Sequence, residues 1–223
     1  TSSERIEDVS VFLSDDWGQV VGVWEGYAAD EQVRLKGSSG GVLTALGVHC
    51  IENEAMSGVL HIGPSQSDPT RSQTRLSKTR EELLAAAGSR YSPASVCNGL
   101  GLVEAAEAPC LVIGKPSEIA ALRKVERAKP TLAKKVGLTA SFFCAESPST
   151  KGTHELIGNM GGKPEPVGSL RYRGYGWPGH FAPTLKGACE PIGKIPYADS
   201  WAFLQAYRPW SVHIWPDGTG ELA

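Results

Sequence analysis

The sequence predicts an α/β fold in which helices flank a largely parallel or mixed sheet, followed by a smaller, irregular β region. Short apolar runs alternate with helical patterns through the first part of the chain, which favours a layered α/β arrangement. From about residue 164 the composition changes, and aromatic residues, glycine and proline dominate. We therefore expect an α/β core over residues 1–163 and the start of a C-terminal region over 164–223, in a chain that is an excerpt of something longer.

Three compact apolar runs predict the strands of this core. They are residues 57–63 (SGVLHIG), 109–114 (PCLVIG) and 136–143 (VGLTASFF), and each is closed by small or turn-forming residues. Because helical patterns separate the three runs, we expect the strands to pair mainly in parallel.

Helical patterns surround the strands in a regular order. Residues 40–55 carry an apolar stripe, and Thr79 with Glu82 forms a capping-box pattern before the next helix. Ser117 is expected to cap the helix after the second strand. Residues 149–162 (STKGTHELIGNMGG) predict a further helix that ends in two glycines.

Three polar turns are expected at one edge of the sheet. The turns KGSSGG (36–41), GKPSE (114–118) and CAESPST (144–150) each follow a strand-like run and precede a helix. Ligands gather outside the carboxyl ends of parallel strands, and helix N-termini attract anions. The three turns together predict a site for an anionic cofactor.

Composition excludes several classes of protein. Hydrophobic content of 41%, charged content of 21% and a net charge of −2 are ordinary for a globular protein and give no basic patch for nucleic acid. No apolar run is long enough to be a membrane span, and no signal peptide is visible. The five cysteines are scattered and form no C-x-x-C pair, so we expect neither a disulfide framework nor a zinc site, and a cytoplasmic location.

The stretch GSSGG at residues 37–41 leaves three interpretations open. Ser39 could simply cap the following helix. It could be the nucleophile of a G-x-S-x-G hydrolase elbow, with Asp199 and His213 completing a triad. The third interpretation is a phosphate or flavin cradle, whose residues would be Ser38, Ser39, Gly40, Gly41 and Thr44.

Six motifs occur in an order that resembles the beta subunit family of coenzyme F-420 hydrogenases and dehydrogenases. They are GSSGGVLTAL, GSRYSPAS, GKPSEIAALRK, SFFCAESPSTKGTHEL, LRYRGYGWPG and WPDGTGELA, and they extend from about residue 20 to the end of the sequence. The resemblance implies a flavoprotein in which FAD relays electrons between an iron–sulfur cluster and a deazaflavin such as coenzyme F-420 or another acceptor. It also implies a protein partner for electron transfer.

The resemblance assigns cofactor-binding roles to residues of three of these motifs. The expected FAD contacts are Ser38, Ser39, Gly40, Gly41, Thr44, Ser89, Arg90, Tyr91, Gly114, Lys115 and Pro116. Arginine and lysine can balance the charge of a pyrophosphate, and a tyrosine ring can pack on a flavin. A non-catalytic subunit that kept the fold is the alternative.

The sequence departs from the family pattern at the iron–sulfur ligands. Members of the family carry four cysteines that would bind a 4Fe–4S cluster. Here Ser117, Val212 and Trp215 stand at three of these positions, and Cys144 is the remaining cysteine. We therefore expect this chain to lack the cluster, with Cys144 as a small buried apolar residue.

An aromatic loop, residues 170–183 (LRYRGYGWPGHFAP), provides the candidates for substrate contact. The glycines between its large side chains suggest a shaped loop with unusual backbone torsions. The resemblance places this loop near the active pocket, so Arg171 and Trp177 are candidate substrate contacts, and His180 and Arg173 are candidate catalytic residues. His61, within a predicted strand, is expected to be structural.

Overall fold

A computed structural model describes residues 23–145, 147–162 and 166–210 of the chain. Its helices are α1 Glu31–Lys36, α2 Val42–Asn53, α3 Arg80–Ala85, α4 Leu100–Glu104, α5 Pro116–Ala128, α6 Pro130–Ala133, α7 Thr150–Asn159 and α8 Tyr197–Leu204. Its strands are β1 Gly58–Pro64, β2 Ser72–Ser77, β3 Cys110–Gly114, β4 Val136–Ser141, β5 Val167–Arg171, β6 His180–Leu185 and β7 Ile195–Pro196. Short 3₁₀ helices cover Val96–Gly99 and Gln205–Tyr207.

The first sheet has the order β2-β1-β3-β4 and is mixed. Strands β1, β3 and β4 are parallel, and they are the three strands that the apolar runs predict. Strand β2 pairs with β1 in antiparallel fashion, with Ser72 opposite Pro64. The sequence of β2, SQTRLS, contains Leu76 as its single large apolar residue, which is why no apolar run marks it.

Both faces of this sheet are covered, because successive residues of a strand point to opposite faces. Val59 and Leu111 pack with α2 and α3, whereas Leu60 and Val112 pack with the helices on the other side. The α/β arrangement predicted from the sequence is therefore confirmed, with a mixed sheet between helical layers.

The segment EQVRLK, expected to be strand-like, forms α1 instead. The Asp30 carboxylate accepts hydrogen bonds from the backbone N–H groups of Gln32 and Val33 and so caps this helix. The segment is short and rich in good helix formers, so a strong N-cap decides its conformation. The first polar turn thus follows a helix rather than a strand.

The predicted caps have different outcomes. The hydroxyl of Thr79 accepts from Glu82 N–H at 3.3 Å, which confirms that cap. Ser117 is not a cap: Lys115 is the N-cap residue and α5 begins at Pro116, two residues earlier than a cap at Ser117 would place it. The fixed φ of proline suits the first helical position, so Pro116 determines where α5 begins.

A second sheet, in the order β5-β6-β7, lies in the C-terminal part of the chain. Its core contains apolar residues of α7, α8, the strands and the start of the aromatic loop: Leu156, Ile157, Val167, Leu170, Tyr172, Phe181 and Leu204. The buried hydroxyl of Tyr172 hydrogen-bonds the hydroxyl of Thr153 on α7 at 2.8 Å. Burial raises the pKa of Tyr172, so this phenol stays neutral.

The aromatic loop between β5 and β6 has the unusual torsions that its glycines predict. Gly174, Gly176 and Gly179 have φ values of 103°, 98° and 81°, and Tyr175 also lies in the left-handed region at 59°. Among the described residues, no helix is long and apolar enough to cross a membrane.

Candidate functional site

Residues 88–96, which we call the joining segment, connect the turns at the carboxyl edge of the first sheet. The backbone N–H of Ser89 donates to Oγ of Ser38 at 2.6 Å, which joins the segment to the KGSSGG turn. At its other end, the N–H of Val96 donates to Oε1 of Glu118 at 3.0 Å, at the beginning of α5. The first two polar turns are therefore both hydrogen-bonded to the joining segment, one at each of its ends.

The third turn meets the joining segment at a cavity of about 500 Å³. The residues that line this cavity are Arg71, Ser72, Pro93, Ser149, Thr150, Lys151 and His154. Pro93 belongs to the joining segment, and Ser72 pairs with the last residue of β1. The three turns thus lie along one edge of the sheet, although none of the predicted FAD contacts lines this cavity.

The KGSSGG turn is tightly folded against α1. A Cβ atom on Gly41 would lie 2.8 Å from the carbonyl oxygen of Val33, and φ of Gly41 is 74°, so this position requires glycine. Gly41 precedes α2 and contributes no side-chain cap, while Ser39 is exposed. The interpretation of Ser39 as the cap of α2 is therefore wrong. The N-cap residue is Gly41, which has no side chain to accept a hydrogen bond from the first amides of α2.

Arg90 is a half-buried clamp for protein backbone. Its guanidinium donates to the carbonyl oxygens of Pro69, Arg71 and Leu170 and to Oγ of Ser72, over distances from 2.7 to 3.3 Å. These bonds use four of the five N–H donors of an arginine. Burial lowers the pKa of Arg90, and the ring of Tyr172 lies below it at 5.2 Å.

Tyr91 lies within an aromatic cluster. Its ring centroid is 5.5 Å from Tyr172, 6.2 Å from Tyr197 and 5.0 Å from Trp201. Burial, followed by the hydrogen bond with Tyr197, raises the pKa of Tyr91 to about 12. The joining segment is therefore anchored to the second sheet by Tyr91, next to the clamp of Arg90.

The beginning of α5 is occupied by a carboxylate of the chain itself. Glu118 is buried, and its Oε2 accepts the backbone N–H of Lys115 at 2.9 Å while Oε1 accepts from Val96. Gly114 ends β3 directly beside this carboxylate, and Pro116 contributes no N–H. The negative charge of Glu118 thus compensates the positive end of the α5 dipole.

The aromatic loop packs directly on the KGSSGG turn. The N–H of Gly176 donates to the carbonyl oxygen of Leu35 at 3.2 Å, and a Cβ on Gly174 would lie 2.6 Å from the carbonyl oxygen of Lys36. A Cβ on Gly88 would lie 3.3 Å from the carbonyl oxygen of Arg173. The first turn, the joining segment and the aromatic loop therefore meet at one place.

The candidate substrate and catalytic residues on this loop have different surroundings. The guanidinium of Arg173 lies 3.9 Å from the centroid of the Tyr197 ring, and that of Arg171 lies 4.5 Å from the Tyr175 ring. Trp177 is 80% exposed, and His180 is exposed at the beginning of β6. The loop thus carries an exposed tryptophan, Trp177, and two arginines whose guanidinium groups stack on tyrosine rings.

A polar network beside the cavity has no counterpart among the sequence predictions. The hydroxyl of Thr70, which is fully buried, donates to Oδ1 of Asp68 at 2.6 Å and also hydrogen-bonds Nε2 of His154 at 2.9 Å. Burial acts to raise the pKa of Asp68, but the bonds from Thr70 and the charge of Arg71 outweigh it, so this pKa is lowered. Since the Thr70 proton is directed to Asp68, Nε2 of His154 is the donor to Thr70.

The positions of the family's cysteines are only partly described. Cys144 follows β4 and is half-buried, and Ser117 lies in the first turn of α5. Val212, His213 and Trp215 lie outside the described residues. In the described ranges, no group of three or more histidine, cysteine or acidic side chains is arranged to hold a metal ion.

The hydrolase interpretation lacks its structural context. A nucleophile elbow needs a strand before the serine, whereas α1 precedes Ser39. Asp199 is exposed in the first turn of α8, and His213 lies outside the described residues.

Two family models match most of the chain. Residues 23–100 match the model for the N-terminal part of the coenzyme F420 hydrogenase/dehydrogenase beta subunit. Residues 109–223 match the model for the C terminus of the same beta subunit. No curated protein sequence is significantly similar to the chain.

A solved structure supports the fold. The chain is similar to a chain of the xenon-derivatized F420-reducing [NiFe] hydrogenase complex from Methanosarcina barkeri, with a TM-score of 0.65 and 22% sequence identity. The match covers 88% of this chain and 66% of the other, so the chain spans just under two thirds of that relative's length. At this identity, the similarity shows a shared fold.

Proposed function

Because the chain belongs to the coenzyme F420 hydrogenase/dehydrogenase beta subunit family, an electron-transfer oxidoreductase family, we propose that it is a flavin-dependent subunit. In this proposal the predicted binding turns would hold FAD, which would supply the chemistry for transfer of electrons or hydride to a deazaflavin such as coenzyme F420 or to another acceptor. The observation that carries the proposal is the joining segment, which brings three predicted binding turns to the carboxyl edge of the sheet.

The chemistry of the first turn fits an anionic cofactor. Gly41 leaves the N-terminus of α2 without a side-chain cap, and the exposed hydroxyl of Ser39 lies directly before it. Uncapped amides at the start of a 12-residue helix favour a phosphate oxygen, and the helix dipole adds to this preference. Thr44, in the first turn of α2, adds a further hydroxyl.

The remaining predicted FAD contacts divide into binding and positioning residues. Lys115 is half-buried at the beginning of α5, where its ammonium can pair with a phosphate. Ser38, Arg90 and Tyr91 already bind protein groups, and we propose that they position the joining segment, whose neighbouring turns would hold the flavin. A bound flavin supplies the hydride and electron chemistry, whereas this chain supplies binding, orientation and exclusion of water.

We propose that the substrate binds against the aromatic loop. Arg171 and Trp177 are the proposed substrate contacts, and Arg173 and His180 are the proposed catalytic side chains because each lies at the edge of the same loop. An exposed imidazole can transfer a proton near neutral pH, and a guanidinium can stabilise an anionic form of a ring substrate.

We propose further that the subunit works without the 4Fe–4S cluster of its relatives. Neither serine nor valine nor tryptophan supplies the thiolate that iron requires, so Ser117, Val212 and Trp215 remove three of the four ligands. Electrons would then pass between the flavin and a diffusing substrate or a docked protein partner. A cytoplasmic setting agrees with five cysteines that are scattered along the sequence and form no C-x-x-C pair.

One observation favours a second candidate, a non-catalytic subunit that kept the fold. Glu118 already fills the beginning of α5, and backbone carbonyls already occupy the donors of Arg90. If these contacts persist in the working protein, fewer groups remain for a cofactor.

A matched pair of variants tests the flavin proposal. Ser39→Ala changes an exposed hydroxyl, so we expect FAD affinity to fall several-fold while stability stays within about 0.5 kcal/mol of the wild type. FAD binding is measured by quenching of flavin fluorescence, and stability by urea unfolding. Ser169→Ala, which removes an exposed hydroxyl on β5 outside the three turns and the cavity, is the control for loss of a serine hydroxyl. A wild-type protein that binds no FAD would overturn the proposal and leave the non-catalytic subunit.

A further inference from the structure

The cavity at the beginning of α7 combines cationic side chains from two separate parts of the chain. Arg71 comes from the end of the loop after β1, and Lys151 and His154 come from the first turns of α7. Its volume of about 500 Å³ lies within the range of small-molecule sites. Arg71 and Lys151 bring a guanidinium and an ammonium to the same cavity, so it favours an anion.

The helix adds to this preference. No acidic residue lies in the first turn of α7, and the hydroxyl of Ser149 caps the helix by accepting from Lys151 N–H at 3.2 Å. A neutral cap satisfies one amide, and no residue in the first turn of this 10-residue helix supplies a negative charge that would compensate its dipole. The positive end of the helix dipole and the side chains of Arg71 and Lys151 therefore all attract an anion to the cavity.

The side chains of the cavity are held in place by the protein. Asp68 pairs through Oδ2 with Nε of Arg71 at 3.3 Å and fixes Thr70, which in turn binds Nε2 of His154. The ion pair uses Nε, so the terminal Nη groups of Arg71 are the donors that would meet a ligand. A guanidinium fork matches two oxygens of a phosphate.

We propose that this cavity is a phosphate-binding site that takes the phosphate group of an organic ligand. Arg71 and Lys151 supply the charge, His154 and Thr150 supply further polar groups, and the remaining volume accommodates part of the ligand attached to the phosphate. The phosphate can belong to FAD itself or to a separate phosphorylated substrate. The site follows from the contacts of the cavity and stands independently of the flavin assignment.

Isothermal titration with inorganic phosphate tests this proposal on the purified protein and again after removal of any bound flavin. We expect wild type to bind phosphate in at least one of these forms, and Lys151→Gln and Arg71→Gln to weaken the binding at least tenfold. Lys124→Gln, which removes an exposed lysine on α5, is the matched control and leaves phosphate binding unchanged. Unfolding curves of all variants show whether each is folded.

The flavin content of Lys151→Gln distinguishes the two sources of phosphate. Loss of FAD together with phosphate binding assigns the site to the cofactor, and retention of FAD with loss of phosphate binding assigns it to a separate ligand. If wild type binds no phosphate in either form, or if both cavity variants bind it like Lys124→Gln, the proposal is wrong. A protein without flavin that binds phosphate in this cavity supports the site and contradicts the proposed function alone.

Discussion

Helices α5 and α7 begin at the same edge of the molecule, and the residues beside their positive N-terminal ends carry opposite charges. At α5, the buried carboxylate of Glu118 accepts two backbone N–H groups and compensates the dipole. At α7, the neutral hydroxyl of Ser149 forms the cap, and Lys151 and Arg71 add positive charge beside it. Glu118 therefore compensates the helix dipole at α5 and leaves the side chain of Lys115 to meet an anion there, whereas at α7 the dipole, Lys151 and the Nη groups of Arg71 all favour an anionic ligand.

The largest expected effect is at α5. Glu118→Ala leaves the amides of Val96 and Lys115 without their acceptors, and we expect the free energy of unfolding to fall by about 2–4 kcal/mol. Urea unfolding measures this loss. Glu118→Gln keeps one carbonyl acceptor, so its loss is smaller. Equal stability of Glu118→Ala and wild type would contradict the structural role of this carboxylate.

Lowering the pH is expected to reduce the stability of the fold through His61, which lies outside the cavity. Burial, with a contribution from Arg75, lowers the pKa of His61 from 6.5 to about 4, while a bond to Ile62 and the charge of Glu82 act the other way. The imidazole of His61 therefore takes up a proton more readily in the unfolded chain than in the folded one. Stability from neutral His61 is fully present above pH 6.5 and is lost as the pH falls toward 4.

The measurement is the urea midpoint at pH 7 and at pH 5. We expect wild type to lose stability over this interval and His61→Gln, from its own baseline, to lose less. The carboxyl groups of Asp30 and Asp68 have lowered pKa values and therefore act at more acidic pH. An identical pH dependence in both proteins would show that His61 does not control acid sensitivity in this range.

A carboxylate introduced at the start of α7 tests whether the absence of an acidic cap there allows an anion to bind. Ser149→Asp keeps a good N-cap and adds a negative charge, so we expect stability to rise by about 0.3–1 kcal/mol. The same change should abolish phosphate binding, because the new carboxylate pairs with the cations of the cavity. Phosphate binding that survives this substitution would show that the anion lies elsewhere.

The smallest expected effect on stability is that of Lys151→Gln. Lys151 is exposed, so we expect its loss to change the free energy of unfolding by less than about 0.5 kcal/mol. Thermal and urea unfolding check this value. A much larger loss would make Lys151 a structural residue and remove the contrast with Glu118.

The sequence is most informative where hydrophobic patterning and single turns decide the structure. The runs around Val59, Leu111 and Ala140 predict the three parallel strands because burial on both faces requires apolar residues. Strand β2 escapes prediction because its polar alternation resembles a loop. The segment EQVRLK escapes because its capping by Asp30 outweighs a weak strand pattern.

The candidate site is predicted less completely, because it depends on contacts between distant segments. The three turns can be found locally, and the position of the joining segment explains why they lie together. Nothing local indicates that Arg90 binds backbone carbonyls or that Glu118 fills the start of α5. Arg71 and His154 are 83 residues apart in sequence, and only the folded chain places both at one cavity.

The flavin content of the gel-filtered protein, measured together with its iron content, tests the central claim most directly. We expect stoichiometric FAD that co-elutes with the chain, together with negligible iron. A colourless protein that takes up no FAD on reconstitution would contradict the proposed flavin site at the carboxyl edge of the sheet.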